Sequence, residues 1–199
     1  LYLFILIGIS CSAELKAQKN GTVYKGNDPA VRYTGRTLVS PDGSVAFDWV
    51  GTYLETRFTG GKLSVKVSET GTSYYNVFVD GKLHKVVKVC GTDTLIHLVS
   101  GIDKRSHSLK IQKRSEGEFG KTTVHQFVLS GSGRLAEEPA VRTRHIEFIG
   151  NSLTCGYGTD GKHRDEPFLV ETENCNLTFA SMVARYYDAD YTPVSYTHL

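Results

Sequence analysis

The chain has 199 residues, enough to bury one large core or two modest ones. With 23 Lys and Arg against 21 Asp and Glu, its charge is nearly balanced. That balance argues against a nucleic-acid partner or an anionic membrane surface, both of which select for strong basic excess.

The first nine residues, Leu1 to Ile9, form an apolar run too short to span a bilayer. Small residues follow it, as they follow the apolar core of a secretory signal. The expectation is a partial signal peptide over residues 1–18, cut after Ala13 or near Ala17-Gln18, and a protein that is secreted or periplasmic, with no membrane span. Lipid anchoring at Cys11 is the lesser reading, because Gly8 stands where a lipobox carries Leu. Removing Cys11 leaves Cys90, Cys155 and Cys175, an odd set that gives no disulfide framework. Cys155 and Cys175 could meet, or remain buried thiols. No Cys/His spacing matches a metal site, and no metal or organic cofactor is expected.

From residue 19 to residue 135 the pattern is short strands and turns. Segments 31–39, 44–50, 53–60, 62–69, 74–81, 84–91, 93–101, 107–115 and 122–131 alternate apolar and polar residues, as strands with one buried face do. Gly60-Gly61, Asp80-Gly81 and Gly91 supply turns. Evenly spaced strands of this kind predict an antiparallel β-sandwich. The basic cluster in 103–114 alternates with Leu109 and Ile111 and reads as the wet face of a strand, with little weight for phosphate binding. Trp49, Tyr53, Tyr74 and Tyr75 are candidates for stacking on sugars, with core packing favoured for Trp49.

Residues 136–143 break the rhythm with charge and Pro, and read as a linker. Beyond them "HIEFIG" is a compact strand. "NLTFASMVARYYDAD" places Leu177, Ala180, Ala184 and Tyr187 at helical spacing, with Asn174 or Asn176 as cap. "YTPVS" opens another strand. Strand, loop, helix, strand is the beginning of an α/β unit from residue 144, and 144–199 is too short to close a doubly wound sheet.

Between that strand and helix lies "GNSLTCGYG". Ser152 sits where a strand gives way to a bend, a place that exposes a hydroxyl beside free backbone N–H groups. Gly150 allows close approach and Asn151 can brace the turn through local hydrogen bonds. Gly156 and Gly158 make the next loop pliable. By these residues alone, a nucleophile and an ordinary polar turn are equally good accounts.

"IEFIGNSLTCGYG", then "ETENCNLTFASMVARYYDADY", resembles the start of the catalytic domain of carbohydrate esterase family 2, a branch of the SGNH hydrolases. "DWVGTYLETRFTGGKLSVKV" and "YYNVFVDG" resemble the jelly-roll sandwich that precedes that domain. The resemblance implies a two-domain protein: a jelly-roll sandwich over 19–135, then the truncated start of a flavodoxin-like SGNH-hydrolase domain over 144–199. It further implies a serine-dependent acetylesterase acting on acetylated plant polysaccharides such as xylan or glucomannan, with Ser152 as nucleophile and oxyanion donor. Asn151 stands where the superfamily usually has Asp.

The other elements of that pattern are absent: a Gly and an Asn as further oxyanion donors, and a late His with an Asp. "DGKH" spells Asp-x-x-His, but His163 lies eleven positions after Ser152 while the pattern belongs at the far end of the domain. His163 and His198 are read as solvent-exposed polar residues. His84, His97, His107 and His125 are read as structural. The closing "SYTHL", 195–199, does not resemble the family. The expectation is an esterase fragment inactive as it stands; the alternative is a non-catalytic carbohydrate-binding sandwich.

Overall fold

The structure, a computed structural model, describes residues 21–136 and 140–195. The apolar leader with Cys11, and His198 in the closing residues, lie outside the described residues.

Alternating side chains make strands that bury one face each. In chain order these are β1 (Gly21–Lys25), β2 (Val31–Thr34), β3 (Leu38–Val39), β4 (Val45–Phe47), β5 (Tyr53–Thr59) and β6 (Lys62–Glu69). β7 (Thr72–Val79), β8 (Lys82–Cys90), β9 (Thr94–Val99), β10 (Ser106–Lys113), β11 (Thr122–Ser130) and β12 (Arg134–Leu135) follow. Two six-stranded sheets result. The first runs β3-β4-β11-β6-β9, with β1 also on β11; the second runs β12-β5-β10-β7-β8, with β2 also on β5. Their pairings are antiparallel, as in β10 on β5 and β11 on β6. Phe58, Leu63, Val77, Phe127 and Leu129 lie fully buried between them.

The expected strand 31–39 is two strands in different sheets. Gly35, at φ +121°, turns the chain between β2 and β3, and a Cβ there would meet Thr52 Oγ1 at 2.7 Å.

After the sandwich come β13 (His145–Ile149), α1 (Ser152–Cys155), α2 (Phe179–Tyr186) and β14 (Asp190–Val194). β13 and β14 pair in parallel, His145 opposite Asp190 and Ile149 opposite Val194. The helix begins later than its periodicity suggested. Thr178 occupies the N-cap position, while Asn174 caps the preceding 3-10 turn by accepting from Asn176 N at 3.2 Å. The buried stripe is therefore Ala180, Ser181 and Ala184, and Leu177 and Tyr187 are exposed. Phe179, Met182 and Tyr186 also face outward.

This C-terminal segment docks on the outer face of the second sheet. Asn76 Nδ2 donates to Asn174 Oδ1 at 2.9 Å, and Gln112 Nε2 donates to Tyr191 Oη. The buried Arg114 donates to the carbonyls of Glu171 and Glu173, both at 3.0 Å, and to Asp160. Asp190 is gripped by Arg32 at 2.7 Å, Tyr53 at 2.6 Å and Arg142 at 2.8 Å. Burial pushes the Asp190 carboxyl up, but those three hydrogen bonds outweigh it and hold it at about 2.

Candidate active site

β13 delivers its last residues to a tight turn. Gly150 N donates to Val194 O at 2.9 Å, carrying the parallel ladder one residue past the strand. Asn151 then leaves in extended conformation as the N-cap of α1. Its Oδ1 accepts from Leu153 N at 3.1 Å and its carbonyl accepts from Thr154 N at 2.8 Å. An amide oxygen performs this cap as well as a carboxylate would. Ser152 is the first residue of α1 and half-buried, at a strand-to-turn junction. Its carbonyl closes the turn by accepting from Gly156 N and Tyr157 N, both at 3.1 Å. Among the described residues nothing hydrogen-bonds its hydroxyl.

The glycines serve the turn itself. A Cβ at Gly150 would lie 2.2 Å from Thr154 Oγ1, so the missing side chain makes room for Thr154 to fold back. Gly156 takes φ +84°, and a Cβ there would lie 2.5 Å from the Asn174 carbonyl. It is a pinned helix end packed against another backbone, where the sequence reading had it as a source of pliability. Gly158, at φ +69°, has open space around it.

No histidine hydrogen-bonds Ser152 among the described residues. His163 is exposed and lines a separate cleft with Tyr157, Phe168 and Glu166. His145 bonds Thr192 Oγ1 at 2.9 Å, at the far end of β13. His97 pairs with Ser64, His125 with Ser68, and His107 bridges Asp80 and Asp103. The Asp80 hydrogen bond raises His107 above its ordinary value.

Behind α1 the structure assembles a group that the sequence reading missed. Glu116, Cys155 and Glu173 are buried with their donor atoms within 4.8 Å of one another. Glu116 N donates to Glu173 Oε2 at 3.2 Å. Burial pushes the Glu173 carboxyl up to about 7 and raises the Cys155 thiol well above its ordinary range. Three such groups could hold a metal ion. A Glu173 carboxyl that keeps its proton to neutral pH lowers the charge of the cluster. These positions are scattered along the chain, so no spacing motif announces them.

Of the two readings for Cys155 and Cys175, buried free thiols hold. They pack together with Val50 and form no disulfide. Burial pushes the Cys175 thiol up to about 12. Two of the four candidate sugar-stacking aromatics are enclosed: Tyr53 is 1% exposed and Tyr75 3%. Tyr74 donates to Glu171 at 3.2 Å, and Trp49 is half-buried beneath the Arg36 guanidinium, 3.9 Å from its ring centroid. Trp49 is therefore not the core residue that was favoured.

A two-sheet sandwich carrying a docked strand–helix segment, with a half-buried serine at its first turn, defines the class of molecule. Residues 33–139 match the family described as Carbohydrate esterase 2 N-terminal, and the chain belongs to carbohydrate esterase family 2 through this part. It is 31% identical over 171 residues to the Cellulase/esterase CelE of Acetivibrio thermocellus, covering 86% of this chain and 21% of that protein. It is 29% identical over 135 residues to an Acetylxylan esterase / glucomannan deacetylase of Cellvibrio japonicus, covering 67% of this chain and 37% of that one. Among solved structures, a family two carbohydrate esterase from Clostridium thermocellum in complex with cellohexaose superposes with a TM-score of 0.77 at 32% identity, covering 81% of this chain and 49% of that one. The chain thus spans half or less of each of these proteins.

Proposed function

We propose that the chain is the N-terminal part of an exported, serine-dependent carbohydrate O-acetylesterase that removes acetyl groups from xylan- or glucomannan-type polysaccharides. One observation carries the assignment of the nucleophile. Ser152, half-buried and with a hydroxyl that no described residue hydrogen-bonds, sits at the carboxyl end of a parallel strand docked on a family 2 sandwich. In this reading residues 144–195 begin an SGNH-type domain. Ser152 attacks the acetyl carbonyl, its own backbone N–H helps hold the oxyanion, and water releases acetate from the acetyl-enzyme. The Asn151 cap and Gly150 fix the turn. No described histidine hydrogen-bonds Ser152, and the chain spans half or less of its relatives, so this reading assigns the general base and the remaining oxyanion donors to parts of the protein beyond the described residues. The relatives, a cellulase/esterase and an acetylxylan esterase / glucomannan deacetylase, support the acetylated-polysaccharide substrate. The apolar leader at residues 1–18 supports export.

Acetate release from acetylated xylan and from 4-nitrophenyl acetate tests this. The 199-residue chain is expected to show no turnover that depends on Ser152. An extended chain carrying the rest of the gene's open frame is expected to turn over, and Ser152→Ala in it to lose at least about a thousandfold in kcat/KM. An extended chain that is active and indifferent to Ser152→Ala would end the assignment.

A further inference from the structure

The docked segment covers only part of the second sheet's outer face. Where that face emerges, it and the loop before α2 enclose a cleft of about 390 Å³, within the range of small-ligand sites. Four basic side chains and one acidic one line it. The acidic one, Glu55, is already engaged by Arg32 and Arg142. The half-buried Lys110 on β10 points its ammonium at the Tyr53 ring, 3.8 Å from the centroid, and hydrogen-bonds no described residue. Arg57, exposed on β5, commits only its Nε, to Ser106 at 3.3 Å, and Arg185 commits only Nη1, to Asn176. Phe78 supplies an apolar wall, and Ser108 and Asn176 supply polar groups beside it.

From this we infer that the cleft binds a carboxylate-bearing sugar, a hexuronate side group of the polysaccharide, its carboxylate on Lys110 and Arg57 and its ring against Phe78. Lys110 is partly desolvated with unused donors, so a charge-assisted hydrogen bond to a carboxylate replaces water it has already lost, and the exposed Arg57 offers a second, bidentate-capable donor beside it. An aromatic wall flanked by polar groups suits the two-faced character of a pyranose ring. Burial lowers Lys110 to about 8, with Glu55 opposing and Arg142 and Arg185 adding to the fall. Ser152 is not among the lining residues, so the site is separate from the turn described above. The identity of the anion as a sugar rests on the proposed esterase function; the anion preference rests on the cleft alone.

Titration calorimetry on the 199-residue protein at low salt tests it, with three probes: a glucuronate-substituted xylo-oligosaccharide, the same oligosaccharide unsubstituted, and inorganic phosphate. The substituted sugar is expected to bind about tenfold or more tighter than the neutral one. Lys110→Gln is expected to erase the difference. Arg57→Gln, at an exposed position, carries the same expectation should Lys110→Gln fail to fold. Equal binding of the two sugars, or undiminished discrimination in both variants, overturns the inference. Phosphate binding as tightly as the uronate overturns the sugar assignment. The acetate-release assay fails or succeeds independently of these readouts.

Discussion

Tyr53, buried in β5 of the sandwich, donates a 2.6 Å hydrogen bond to Asp190, which opens β14 137 residues later. Arg32 and Arg142 close on the same carboxylate. One acidic side chain thus fastens the parallel strand pair to the outer face of the second sheet.

That fastening should be acid-sensitive. The folded state holds Asp190 at about 2, below its ordinary 3.8, so its contribution is present in full above pH 4 and is lost as pH falls towards 2. Asp190→Asn should flatten this limb of the stability profile and cost about 3 kcal/mol at pH 6, because two arginines each lose one carboxylate partner and are left sharing Glu55. Tyr53→Phe should cost about 1.5–3 kcal/mol. Urea unfolding between pH 2.5 and 6 reads all three, and an unchanged acid limb in Asp190→Asn would show that the network is not the source.

Glu173 predicts a slope of the opposite sign. Its folded value of about 7 stands above the ordinary 4.5, so the folded state holds the extra proton. Stability contributed by the neutral carboxyl is whole below pH 4.5 and drains away as pH climbs through 7. Glu173→Gln keeps a neutral polar group there and should remove the decline. A thermal midpoint that still falls across this window in the variant would assign the effect elsewhere.

Gly156→Ala should destabilise by about 2–4 kcal/mol. It places a Cβ against the Asn174 carbonyl at φ +84°. Ser152→Ala, at the start of the same helix, should stay within about 0.5 kcal/mol because its hydroxyl bonds to nothing described. Chemical denaturation of the pair separates backbone strain at the turn from loss of the side chain, and equal effects would contradict the geometry.

In the sandwich, Phe127→Ala should cost about 3–5 kcal/mol, since the ring is fully enclosed between the sheets. A loss under 1 kcal/mol by the same measurement would mean the two sheets close up around the vacated space.

Strands β5 to β11 were legible because one face is apolar at every second residue, and that pattern survives whatever packs above it. The run 31–39 was misread because alternation carries no mark of which sheet a strand joins; the change of sheet lies in the backbone of Gly35. β1 was missed because it is a five-residue edge strand with Val23 54% exposed, so little burial pattern distinguishes it. At the candidate site, the serine turn was readable from a small-residue bend after an apolar run. The burial of Tyr53 was not, nor was the meeting of Glu116, Cys155 and Glu173, since these depend on which face the C-terminal segment covers; Tyr75 is instead enclosed between the sheets against Phe47, with its hydroxyl on Thr122 of β11.

Asn76, Gln112, Arg114 and Tyr53 come from neighbouring strands and the residue just past one, so their common platform exists only once β5, β7 and β10 are aligned. These strands leave the ribosome before β13 and β14 do, and N-terminal units mature first during synthesis. The serine's bend is therefore moulded late, on a foundation already set. Damage to the sandwich should reach the serine's bend as well, by spoiling the template on which that corner is cast.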